Sequence, residues 1–220
     1  KKMIFFSQLK EKKKDGNFYV DEAFKKGASI AIVNKIKNSN KKSKQIKVSD
    51  TLEFLTKSSK KVRENFDGRI IAITGSCGKT SLKELLGNTI NKYSTATFSP
   101  KSFNNKYGVP LSLFNLNLNH KNGVFEIGMD KKGEINFLSK IIKPDIGVIT
   151  NISYAHAKNF KSINQIAKAK SEIINNIKKD GSLVLNADDK FYNFHKRIGI
   201  KKNLKIYSFS IKKKGNIHLE

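Results

Sequence analysis

From residue 69 onward the chain alternates uninterrupted apolar runs with helical periodicity. RIIAIT is followed by a helix carrying Leu82, Leu85, Leu86 and Ile90, then by STATF, VFEIGM, DIGVITNIS, SLVLNA and KIYSFS. A strand without polar alternation buries both faces, and such strands separated by helices build a parallel sheet covered on both sides. The turn at Asp67-Gly68 opens this region, so an α/β domain with a mostly parallel sheet flanked by helices is predicted over 67–220. Residues 1–66 predict a smaller α/β unit. They hold the β-like run MIFFSQL, the helix VDEAFKKGA, the strand SIAIVN, the loop KIKNSNKKSKQ, the short strand IKVSD and a helix over 51–65. No internal repeat is visible.

Composition narrows the function classes. The longest apolar runs are strand-sized, so no membrane insertion is expected, and KKMIFFSQLKEKKK has too short an apolar stretch for a signal peptide. The single Cys77 excludes an internal disulfide framework and a cysteine metal cluster, consistent with a reducing, cytoplasmic location. A net charge of +26 points to anionic partners. Only Arg63, Arg69 and Arg197 among the 44 basic residues are arginines, however, and the lysines are spread along the whole chain. Nucleic-acid recognition favours the arginine fork and a clustered stripe. Anionic small molecules are therefore favoured over nucleic acid.

Residues 72–81 read AITGSCGKTS. The common G-x-x-x-x-G-K-[ST] phosphate loop would place a glycine at position 73, where Ile73 stands. The context is nevertheless a buried-type strand, a glycine-flanked turn and a helix start, where backbone N–H groups and the helix dipole form an anion cradle. In that role Lys79 reaches terminal phosphates and the Thr80 hydroxyl binds Mg²⁺. In the structural alternative, Gly75 and Gly78 shape a turn and Lys79 is one more solvated lysine.

Three further residues fall on the same sheet edge or on a buried face. Glu126, inside VFEIGM, is a carboxylate in an apolar strand, which needs a partner or a metal; it could share one Mg²⁺ with Thr80, or pair with a lysine. Ser162 and Gln165 have capping-box spacing. They open a helix over SINQIAKAKSEIINNI whose stripe (Ile163, Ile166, Ala167, Ile173, Ile174, Ile177) includes position 170 but not 168. Lys170 must then lose its charge, find a carboxylate, be modified or snorkel. His156 lies just beyond DIGVITNIS, at the ligand edge or as a packing residue. Turn chemistry by itself accounts for Asn104 and Asn105 in SFNNKYGVPLSL.

Together these words resemble the Mur ligase family, ATP-dependent amide-forming enzymes of peptidoglycan precursor synthesis. The family loop T-G-x-x-G-K-[ST] matches Thr74, Gly75, Ser76, Cys77, Gly78, Lys79 and Thr80, and needs no glycine at 73. NNKYGVPLSL (104–113), EIGMDKKGEI (126–135), DIGVITNISYAH (145–156), IAKAKSEI (166–173) and LNADD (185–189) appear in family order. They are most similar to the member that adds D-alanyl-D-alanine to the UDP-N-acetylmuramoyl tripeptide. FFSQLKEKKKDGNFYVDEAFKKGA is similar to that member's substrate-domain segment.

The resemblance implies a division into a partial UDP-MurNAc-peptide-binding domain over 1–66 and a P-loop-containing, ATP-binding central domain over 67–220. Its cofactor-binding positions fall on residues 75–81, from Gly75 to Ser81, with Asn104 and Asn105 near the phosphates and the nucleotide-sugar. Lys79, Lys170 and His156 are the implied catalytic residues. Thr80 and Glu126 would hold one Mg²⁺, and His156 a second, positioned by Lys170 as a carbamate. The implied reaction passes a phosphoryl group from ATP to the tripeptide carboxylate, and the dipeptide amine then attacks the acyl phosphate.

The family's histidine motif continues with leucine and an acidic residue, where this chain has Ala157 and Lys158. The family's carboxyl-terminal domain is expected to be missing, leaving a monomeric fragment inactive by itself. Alternatives are another Mur ligase, a folylpolyglutamate synthetase-like ligase, an inactive nucleotide-binding module, or a basic nucleic-acid-binding protein.

Overall fold

The computed structural model describes residues 5–7, 10–11, 14–38, 42–154, 159–212 and 216–218. Two compact units divide the chain at Lys1–Ser59 and Lys60–Glu220.

In the first unit, β1 (Phe5–Ser7), β4 (Ile30–Val33) and β5 (Gln45–Lys47) form a parallel sheet in the order β1-β4-β5, and β2 (Lys10–Glu11) and β3 (Lys14–Asp15) make an antiparallel pair that the apolar pattern does not announce. Helix α1 (Val20–Lys25) buries Val20 and Phe24 against Ala31 and Val33. Helix α2 (Thr51–Glu64), whose residues from Lys60 onward belong to the second unit, starts where Asp50 Oδ1 accepts the Leu52 and Glu53 N–H groups at 2.7 and 2.9 Å, an N-cap interaction.

The second unit holds a seven-stranded, wholly parallel sheet. Its strands are β6 (Arg69–Thr74), β7 (Ala96–Phe98), β8 (Asn122–Glu126), β9 (Ile146–Ile149), β10 (Ser182–Asn186), β11 (Lys205–Ser210) and β12 (Ile217–His218). The order is β12-β11-β10-β9-β6-β8-β7. The six apolar runs each supply a strand, and β12 is added at one edge.

Alternation along the strands explains why the runs are apolar throughout. Ile70, Ala72, Phe125, Ile149, Leu183 and Leu185 belong to one core cluster, whereas Ile73, Val124 and Val148, with Ile71 and Val184 packed against them, belong to another. Helix α3 (Lys79–Tyr93) covers the second face with Leu82, Leu86 and Ile90. Leu85 turns outward and is 65% exposed. The other face is covered by α4 (Gly108–Phe114), α5 (Glu134–Ile142), α6 (Ile163–Ser171) and α7 (Tyr192–Lys201).

Two local features depart from the periodicity. The helix beginning at Ser162 is α-helical only to Ser171 and tightens into a 3-10 turn over Glu172–Asn176, where the Ser171 hydroxyl donates back to Lys168 O at 2.7 Å. Arg63, 4% exposed, spreads its fork over the carbonyls of Ile142 (2.7 Å), Phe66 (3.0 Å) and Lys143 (3.1 Å) and reaches Asp145 at 3.4 Å.

The sheet order also fixes where a ligand can sit. The chain leaves β6 toward β7 on one side and leaves β9 toward β10 on the other. Beyond the carboxyl ends of adjacent β6 and β9 lies the crevice that open α/β sheets use for ligands.

Candidate functional site

Residues 74–81 occupy that crevice. Gly75 has φ 146° and Gly78, at the cap of α3, has φ 79°. Both conformations disfavour an L side chain. At Gly75 a Cβ would also stand 1.9 Å from Thr150 Oγ1. That threonine donates to Cys77 O at 2.7 Å, while Cys77 N donates to Asn151 Oδ1 at 3.0 Å and Ser76 N to Asn151 O at 2.9 Å. Ser76 and Ser153 exchange two further bonds, at 3.0 and 2.9 Å. The loop is thus strapped to the segment after β9. No side chain caps α3, so the N–H groups of its first turn are available to an anion.

Two lysines meet at one carbonyl of this loop. Lys79 Nζ donates to Gly75 O (2.9 Å) and Ser76 O (3.2 Å), and Lys170 Nζ donates to Gly75 O at 2.8 Å. Lys170, 1% exposed, sits on the buried stripe of α6 as its periodicity requires, and Lys168 is exposed. Burial, and secondarily the charge of Lys79, pulls the Lys170 pKa from 10.5 down to about 7. A buried amine that readily sheds its proton is a nucleophile available for modification.

The second cluster joins α3 to β8. Thr80 donates its hydroxyl to Glu126 Oε2 at 2.7 Å, Asn104 donates its amide to Glu126 Oε1 at 2.6 Å, and the Ser102 hydroxyl stands 3.3 Å from that of Thr80. Gly128 makes room for Asn104, since a Cβ there would lie 2.8 Å from its side chain. Glu126 is 1% exposed, and among the described residues no lysine or arginine lies within ion-pair distance of it. A buried carboxylate held only by neutral donors favours a bound cation. Among the described residues no three His, Cys, Asp or Glu side chains converge as a metal cage. Hydroxyl and carboxylate oxygens completed by phosphate suit Mg²⁺, which rarely uses an all-protein cage.

The remaining candidates divide. Ser81 lies exposed in the first turn of α3. Asn105 stands outside the Glu126 cluster and accepts the Tyr107 and Gly108 N–H groups at 3.0 and 2.9 Å, the turn role its sequence suggests. His156 lies outside the described residues. Beside Lys79 opens a cleft of about 530 Å³, bounded by residues 104–107, 128–134, Phe137 and Leu138, with Lys106, Lys131 and Lys132 on its wall. Sequence reasoning overlooked Ser102, the strap of Thr150, Asn151 and Ser153, and buried Lys83. A signal for the last was present: Lys83 and Gly87 share a helix face at i, i+4 spacing, and Gly87 lets Phe98 of β7 approach closely.

Comparison with known proteins agrees with this fold. Residues 73–220 match the model of the Mur ligase middle domain. A UDP-N-acetylmuramoyl-tripeptide--D-alanyl-D-alanine ligase of Rickettsia prowazekii is 40% identical over 209 residues, covering 94% of this chain and 46% of that protein. The Bacillus subtilis protein of the same name is 35% identical over 185 residues, covering 84% of this chain and 40% of that protein. MurF from Acinetobacter baumannii superposes with a TM-score of 0.84 at 31% identity, over 97% of this chain and 46% of its own. MurF from Thermotoga maritima in complex with ADP gives 0.79 at 30% identity, over 96% and 48%. The chain spans about half the length of the curated relatives it matches. With its middle-domain match and the strand, loop and helix that carry it, the chain belongs to the Mur ligase family.

Proposed function

We propose that this chain carries the phosphate- and metal-binding half of the ligase that joins D-alanyl-D-alanine to UDP-N-acetylmuramoyl-tripeptide, a cytoplasmic step of peptidoglycan precursor synthesis. Residues 1–66 belong to its nucleotide-sugar-peptide domain and 67–220 to its ATP-binding domain. The observation that carries this reading is the Thr80 hydroxyl bound to buried Glu126 at the mouth of a loop opening on α3. The names of relatives with 30% identity or more support the substrate pair.

In this reading the backbone N–H groups of residues 75–81 cradle the ATP phosphates. Lys79 swings from its two carbonyls onto the terminal phosphates, placing a positive charge where negative charge accumulates during transfer. Thr80 and Glu126 would hold Mg²⁺, which when bound neutralises charge on the transferring group. Lys170 as a carbamate, and His156, would hold a second ion. Asn104 fixes the Glu126 carboxylate, and the lysine-rimmed cleft beside Lys79 suits the anionic acceptor. A tripeptide carboxylate oxygen takes the γ-phosphoryl group, releasing ADP. The dipeptide amine then attacks the acyl phosphate, forming the amide and expelling phosphate.

The test is a product assay with the protein at the full length of its relatives, supplied with ATP, Mg²⁺, UDP-N-acetylmuramoyl-tripeptide and D-alanyl-D-alanine. Mass spectrometry should find the nucleotide-linked pentapeptide with equimolar ADP and phosphate. Incorporation of a single amino acid instead of the dipeptide, or ATP turnover indifferent to both substrates, would overturn the assignment.

A further inference from the structure

Lys83 is 0% exposed and is among the largest fully buried side chains of the described residues. A buried ammonium survives only when its donors are matched, and this one is matched completely. Its three N–H groups meet Ser99 O at 2.5 Å, Lys101 O at 2.5 Å and Glu84 Oε1 at 2.8 Å. Two of these acceptors flank Pro100, which has no N–H of its own. The second belongs to Lys101, whose φ of 48° lies in the left-handed region although it is not a glycine. Strained backbone of this kind persists where surrounding contacts over-determine it, and such sites gather at functional centres.

The strained turn leads directly into the Glu126 cluster. Ser102 is the next residue, with its hydroxyl 3.3 Å from that of Thr80, and Asn104 lies two further on with its amide on Glu126. Ser99 reaches the same cluster from the other side, its hydroxyl accepting Glu126 N–H at 3.5 Å. Thr80 and Lys83 are three residues apart on α3 and therefore share a face. One turn of helix thus presents the hydroxyl that meets Glu126 and the ammonium that holds the neighbouring strand-to-loop turn.

We infer that Lys83 is a positioning residue: it pins residues 99–101 so that Ser102 and Asn104 stand against the Thr80–Glu126 pair, and through them it sets the Mg²⁺ dependence of nucleotide binding. This role rests on the proposed phosphate-binding function of residues 74–81. Lys83 itself makes no contact with nucleotide; the residues on which Mg-independent affinity depends, in the loop at 75–79, remain untouched when it is replaced.

The test combines two readouts on this chain, wild type and Lys83→Met. AMPPNP titrated with Mg²⁺ should bind the variant about tenfold more weakly, whereas without Mg²⁺ the two proteins should agree within about twofold, the loss expected when charge-assisted bonds to a loop are removed. Hydrogen exchange at the Phe103 and Asn104 amides should accelerate by about tenfold or more with the rest of the sheet unchanged. Should Lys83→Met not fold, Glu84→Ala at a half-exposed site removes one of the three acceptors and should move both readouts in the same direction by about two- to threefold. Equal losses with and without Mg²⁺, or loop amides that exchange as in wild type, would overturn the inference. A wild-type chain that binds no Mg-AMPPNP would instead sink the phosphate-loop reading, and the exchange rates would then decide whether Lys83 pins the turn.

Discussion

Lys170 Nζ donates to Gly75 O at 2.8 Å, tying helix α6 to the loop that opens α3, and Lys79 uses the same carbonyl. Burial and the second ammonium lower the Lys170 pKa to about 7 from 10.5. Between those values the unfolded chain holds a proton here that the folded chain has shed. Stability therefore rises with pH through that window, at most by about 1.4 kcal/mol per pH unit, and this contribution is flat on either side. Thermal melts in CO₂-free buffer should show Lys170→Met gaining on wild type as pH falls from 9 to 6. A pH-independent difference would contradict the assignment. At pH 8, ¹³C-bicarbonate should give a carbamate NMR signal that the variant lacks.

Glu126 should bind the cation rather than stabilise the fold. Glu126→Gln keeps the shape and an acceptor for Thr80, so the urea midpoint should move little. Mg²⁺-dependent nucleotide affinity should drop at least about tenfold, the usual order for a lost charged contact. Glu126→Ala leaves the Thr80 and Asn104 donors without their acceptor and should cost about 1–3 kcal/mol in addition. Isothermal titration with and without Mg²⁺, beside urea denaturation, separates the two effects.

Gly75 and Gly78 should respond differently to alanine. Both have positive φ, but a Cβ at Gly78 meets nothing within 4 Å, whereas one at Gly75 collides with Thr150. Gly78→Ala should cost about 1–2 kcal/mol of conformational strain. Gly75→Ala should cost about 3 kcal/mol or more, because Thr150 must also leave Cys77 O. Chemical denaturation of the two variants gives the ranking, and equal costs would mean that the strap yields freely.

Arg63 is predicted to be structural. Removing its fork in Arg63→Ala strands three carbonyls and Asp145, at a cost of about 3–5 kcal/mol. Lys cannot reproduce the fork, so Arg63→Lys should recover little. Nucleotide affinity of the folded fraction should be unchanged, which a titration below the melting temperature checks.

Much of this was legible in the sequence because the signals are local. Apolar runs marked the strands, Ser162 caps α6 by accepting Gln165 N–H, and the stripe of that helix placed Lys170 inward. The pairing of Glu126 with Thr80 was foreseeable, since both lie where parallel strands end. Lys83 left only the faint mark of its i, i+4 spacing to Gly87, because its acceptors are main-chain carbonyls sixteen and eighteen residues away and a carbonyl leaves no mark in a sequence. The strap at residues 150–153 was hidden for the same reason, being set by the adjacency of β6 and β9. Leu85 misled because helical spacing names a face only to within one neighbour.

The central claim is that residues 74–81 bind nucleotide phosphates, and titrating Mg-AMPPNP into wild type and Lys79→Ala at moderate salt tests it most directly. The account predicts Mg²⁺-dependent binding by wild type that the variant loses. Equal, weak binding by both proteins that fades as salt rises would contradict it, since the net charge of +26 would then suffice to attract the nucleotide.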